Sequence, residues 1–173
     1  MLPLLSRLFG ERRERAALRP LYDSAVAAAR EPAWYREGGV PDTLEGRFDM
    51  VAAVLATILL RLETEGDRAR AESVTLTEIF IDDMDGTLRQ IGIGDHVVGK
   101  NVGRMMGALG GRLAAFRDAG SDRDAFAAAV LRNVFHEAQP EPRAADATVE
   151  RLASLRDALA AADYRDLAAG RLP

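Results

Sequence analysis

The string Gly94-Asp95-His96-Val97-Val98-Gly99-Lys100-Asn101 has the GxxxxGK spacing of a phosphate-binding loop, in which backbone amides cradle phosphate beside a lysine. Asn101 stands where such a loop needs a Ser or Thr for Mg²⁺, and Val98 already opens an amphipathic stripe, so the residues read against nucleotide hydrolysis. Glu78-Ile79-Phe80-Ile81-Asp82-Asp83 imitates the acidic end of a strand, but Leu76, Phe80, Met84 and Leu88 recur at steps of four and make it helical. The carboxylates of Asp82, Asp83 and Asp85 are the right type for a hard cation. On a helix they fan out rather than converge. His136-Glu137 begins like the zinc motif HExxH, yet Pro140 and Glu141 fill the places that need helix and a second histidine. No nucleophile with a paired base is evident. The expectation is a protein without catalytic residues, metal or cofactor.

Composition agrees with that direction. The chain has 173 residues, 48% hydrophobic and 29% charged, enough for one domain with its own core. Zero cysteines exclude disulfides and thiolate metal sites, and two histidines leave little for other metals. A formal net charge of -4 gives no global positive field for nucleic acid. Lys100 is the one lysine among the 23 Lys and Arg residues. The longest nearly apolar run, Met50 to Leu60, is about half the roughly 20 residues of a membrane span. With no secretory segment read at the start, a cytoplasmic location is expected. Residues 1–12 set Leu4, Leu5, Leu8 and Phe9 beside Arg12 and Arg13, the make-up of a short amphipathic segment that can lie peripherally on an anionic membrane.

The elements that must position these residues are all helical. Apolar spacing of three and four predicts six helices, at about 13–30, 43–63, 74–90, 96–116, 121–137 and 147–168, and no stretch alternates with period two. The fold class is a single all-α bundle over residues 13–173. Pro20 is a candidate break near the start of the first helix. Asp42 is expected to cap the second, with Glu45 reaching back. Gly92 should close the third, Asp95 cap the fourth and Ser121 open the fifth, and residues 139–143 read as an extended linker. Helix 43–63 should be the most buried.

Polar residues concentrate at two helix junctions, residues 40–49 and 82–95. A structural reading is capping and ion pairing: Arg47 or Arg89 against Asp82 or Asp83, Asp85 with Arg89 at i and i+4, Lys100 with Asp95. A functional reading makes Asp42, Arg47, Asp49, Asp82, Asp83, Asp85, Arg89, Asp95 and Lys100 a polar rim for a partner. Met84, Met105 and Met106 would then be an adaptable apolar lining.

The same strings, VPDTLEGRFDM at 40–50 and DDMDGTLRQIGIGDHVVGKNVGRMM at 82–106, with Gly111-Arg112-Leu113-Ala114-Ala115-Phe116, resemble the ubiquinol-cytochrome c chaperone family in order and spacing. The resemblance starts near Leu21-Tyr22, fades after about Val134, and departs at Gln90-Ile91 and Leu109-Gly110. It implies a non-enzymatic helical assembly factor that binds newly made cytochrome b on its way into the cytochrome bc complex. It also implies a second assembly factor and the ribosome as partners, and brings Arg112 into the set of client-binding candidates. Two other classes stay open on the residues alone: a peripheral membrane adaptor and a carboxylate-metal enzyme.

Overall fold

A computed structural model of the chain describes the backbone of residues 2–90, 92, 95–136 and 138–173, with side chains there except at 2–9, 11, 68 and 95–98. Every described element is helical. The order is α1 (Leu2–Ala29), α2 (Pro32–Arg36), α3 (Leu44–Glu63), α4 (Asp67–Gln90), α5 (Asp95–Ala119), α6 (Arg123–Val130) running into a π turn (Leu131–Phe135), α7 (Pro142–Ala161) and α8 (Tyr164–Ala168).

The core is built around α3, against which α1, α4, α5, α7 and the π turn all pack. Residues 49–59 of α3 are buried without interruption, as its unbroken apolar run requires. Its start explains a whole motif. Thr43, not Asp42, is the N-cap, its hydroxyl accepting from the Gly46 amide at 3.1 Å. Asp42 instead pairs with Arg47 at 2.6 Å. Gly46 sits against the preceding chain so closely that a Cβ there would lie 2.0 Å from the Pro41 carbonyl oxygen. Asp49 then enters the core.

Several boundaries differ from the expectation, each for a local reason. Helix α1 passes through Pro20 unbroken. The ring removes one backbone donor on an exposed face, and the C-terminal turn covers the spot: a Cβ on Gly170 would lie 2.7 Å from Pro20 Cβ, and Ser24 Oγ donates to the Gly170 carbonyl at 2.6 Å. The connector after α1 is itself a helical turn. Its Trp34 indole donates to the Ala28 carbonyl at 2.7 Å and its Tyr35 hydroxyl to that of Ala29 at 2.9 Å, closing the end of α1. Helix α4 starts seven residues before position 74, because Ala69 is the only buried one among the described residues of its first turns and leaves no period to read. It ends on Gly92, whose φ of 85° is the left-handed closure foreseen there. Asp122 rather than Ser121 caps α6, accepting from the Ala125 amide at 3.0 Å. Glu141 caps α7 and Pro142 starts it, shortening the extended linker. Asp163 restarts the chain as α8, so the last predicted helix is two.

Candidate functional site

The polar residues singled out by the sequence lie on separate faces. Asp82 and Asp83 face α1 rather than Arg47 or Arg89: Arg15 pairs with Asp82, and the Tyr22 hydroxyl donates to Asp83 Oδ2 at 2.8 Å. These contacts rivet α4 to α1 beside a charged cleft of about 600 Å³ that Arg19 and Arg30 also line. Burial and the Asp83 carboxylate push the Tyr22 phenol well above its ordinary value. Asp85 pairs with Arg89 at 2.7 Å, as the i, i+4 spacing indicates. Arg47 holds the Asp42 carboxyl below its usual range, on a different cleft lined by Tyr35 and Arg36. Met84 is buried in the core and fills it rather than lining a surface. Among the described residues no group of three or more His, Asp or Glu side chains is arranged to hold a metal.

A second face gathers the rest. Between the start of α3, the end of α4 and the middle of α5 runs a groove of about 300 Å³. Leu44, Phe48, Leu88, Met105 and Ala108 give it apolar walls. Leu44, 41% exposed, stands at its edge, and Met106, exposed to the same extent, follows Met105 on α5. Glu45, Asn101 and Arg104 supply the polar rim. Lys100 is exposed one turn before Arg104. The side chains of Asp95, Leu4, Leu5, Leu8 and Phe9 lie outside the described residues, as do Gly94 and Glu137. Arg12 and Arg13 are exposed on α1.

The groove floor is an ion cluster. Asp49 comes from α3, where it is the one carboxylate in a buried run. Arg112 comes from the apolar stripe of α5 and is 1% exposed. They form a salt bridge. Arg112 also donates to the Asn133 carbonyl in the π turn at 2.5 Å and to that of Ala108 at 3.1 Å, and its guanidinium lies 5.9 Å from the Phe48 ring centre. The second carboxylate oxygen of Asp49 meets His136 Nε2 at 3.0 Å. Burial raises the Asp49 carboxyl above its ordinary value against the pull of Arg112 and His136, and lowers the Arg112 guanidinium. A cluster so enclosed fixes three elements relative to one another. His136 was visible in the sequence only as a broken zinc motif. The readable signal was instead a single charge of each sign on two apolar stripes, Asp49 between Phe48 and Met50 and Arg112 between Leu109 and Phe116.

The geometry is an apolar trough with a methionine in its wall, polar edges and a buried ionic floor. The family model described as ubiquinol-cytochrome C chaperone matches residues 36–172. The fold is similar to the crystal structure of the Cbp3 homolog from Brucella abortus, with a TM-score of 0.79 and 30% sequence identity over 99% of this chain and 95% of that one. No curated protein matches the sequence.

Proposed function

This chain belongs to the ubiquinol-cytochrome c chaperone family, and from that premise we propose that it is a non-enzymatic chaperone whose client is cytochrome b, held by the groove between α3, α4 and α5. The observation that carries the reading is the groove itself. A client made of apolar helices must be kept from aggregating before assembly, and an apolar trough of about 300 Å³ with a polar rim offers such a helix a partial cover. The carboxylates of α4 take a different part in this reading. Asp82 and Asp83 are engaged by Arg15 and Tyr22 of α1, and client contact falls to Leu44, Met105 and Met106.

The test is capture of cytochrome b by tagged protein from gently solubilised membranes. Met105→Glu places a charge in the trough and should abolish capture, while Asp82→Ala, on a different cleft, should leave it intact, both with unchanged helicity and melting. Capture by Met105→Glu equal to wild type would refute the groove as the client surface.

We also propose a peripheral membrane contact for the start of α1. Helix α1 runs without interruption from Leu2 and carries exposed Arg12 and Arg13, so an amphipathic start would be continuous with the core. Flotation with anionic liposomes, lost on deleting residues 1–12, supports this contact; equal flotation of the truncated chain removes it. None of the described helices is long and apolar enough to cross a membrane.

A further inference from the structure

His136 is the only non-glycine with positive φ among the described residues, at φ 52° and ψ -114°. An L residue in this region carries strain of about 1–3 kcal/mol that its surroundings must offset. The offset is visible: Nε2 lies 3.0 Å from Asp49 Oδ2, and the preceding π turn is tied to Arg112 through Asn133. The imidazole is a wall of the groove standing on a fixed floor. Its side chain is 57% exposed, against 8% for Asp49 and 1% for Arg112.

Among the described residues the charged groups that line the groove with it are few. Helix α3 presents Glu45 and Asp49, α5 presents Arg104 and, beneath the floor, Arg112, and α4 contributes only Leu88 to the groove. Arg112 already neutralises Asp49. A neutral imidazole can donate its Nε2–H to the carboxylate and leave the floor without net charge. A protonated one makes the same hydrogen bond but adds a positive charge that one shared carboxylate does not balance. Covering that charge with an apolar helix removes it from water, which is unfavourable for an ion without its own partner.

Resting on the reading of the groove as the client site, we propose that docking of an apolar client helix is linked to loss of a proton from His136. Client binding therefore strengthens as pH rises through the imidazole range, and a bound client keeps the ring neutral. Exclusion of a protonated imidazole from the complex weakens binding by up to about tenfold for each pH unit on the acid side of the range in which a histidine changes charge.

The experiment measures binding of detergent-solubilised cytochrome b to immobilised full-length protein at the two pH values. Wild type should bind about tenfold more weakly at the lower pH. His136→Gln keeps an N–H for Asp49 but cannot titrate, and should bind equally at both. His96→Gln, at the only other histidine, should behave as wild type. Calorimetry of the unaltered protein at pH 5.5 and pH 7.5, in buffers of different ionisation enthalpy, gives a second reading independent of any variant: a proton released on client binding at the lower pH and less at the higher. Equal wild-type affinity at both pH values, no proton release, or a drop that persists in His136→Gln overturns the linkage while leaving the groove reading intact. Absence of binding at either pH, or full binding by Met105→Glu, overturns the groove reading and the linkage with it.

Discussion

Replacing Arg112 by alanine should be among the most destabilising single changes in this chain. The side chain is fully enclosed and bonds to Asp49, Asn133 and Ala108 while stacking near Phe48. Its removal strands a buried carboxylate whose one remaining partner is His136. Breaking a buried pair from one side costs about 3–5 kcal/mol. For a chain of this length that is a fall in Tm of about 10 °C. The double variant Asp49→Leu with Arg112→Met replaces both charges by apolar groups of related volume, so it should lose much less than Arg112→Ala alone. Urea unfolding at pH 7 measures each, with helix content and the fluorescence of Trp34, the single tryptophan and a buried one, as two probes of one transition. A loss below about 1 kcal/mol for Arg112→Ala, or a double variant as unstable as Arg112→Ala, would refute the view that this pair organises the groove floor.

Tyr22→Phe removes a hydrogen bond to a carboxylate and should cost about 1.5–3 kcal/mol at neutral pH by the same urea measurement. Because the folded state raises the Tyr22 phenol, the contribution of that proton is complete below about pH 10 and drains away as pH rises further; the phenylalanine variant should show a shallower loss of stability in alkaline urea titrations. Gly103→Ala with Gly107→Ala should stabilise by about 0.5–1 kcal/mol per site, read as a higher Tm, since a Cβ at either meets nothing within 4 Å and neither has positive φ. Gly46→Ala should do the reverse, the Pro41 carbonyl having no room to give, and a Tm equal to wild type would contradict the close approach drawn for it. Asp82→Ala, by contrast, breaks an exposed pair and should change stability by less than about 1 kcal/mol.

What the sequence made legible follows from the range of its signals. Period reads along one helix, so α3, the later part of α4, α5 and the Asp85–Arg89 pair emerge from spacing alone. It fails where the stripe is made of alanine, as in the first turns of α4, where Ala69 is the only buried one among the described residues. It also fails across helices. Arg15 and Asp82 are 67 residues apart, Tyr22 and Asp83 are 61 apart, and nothing local in either segment announces its partner. Asp49 and Arg112 were more accessible, since a buried stripe interrupted by one charge asks for an opposite charge elsewhere. His136 was beyond reach because its place depends on a π turn and a left-handed residue, neither of which has a sequence pattern as plain as a glycine. Proline misled at Pro142, which starts α7 inside the expected linker, and at Pro20. An exposed Pro20 costs α1 a single hydrogen bond, and the glycine packed on it from the other end of the chain leaves the helix no reason to stop.

Helix α5 holds five glycines, at 99, 103, 107, 110 and 111, and a Cβ at any of them would touch nothing. Two of the helices that wall the groove, α3 and α5, thus differ in glycine content and in burial. Helix α3, with no glycine after Gly46 and a continuous buried stretch, belongs to the part of the molecule that opens only with global unfolding. Helix α5, weakened by about 1 kcal/mol at each glycine relative to alanine, should open more readily than α3 in its glycine-rich half. Amide exchange should accordingly be slow in the middle of α3 and fast in the glycine-rich half of α5, and an occupant of the groove should register as slowed exchange on α5 alone.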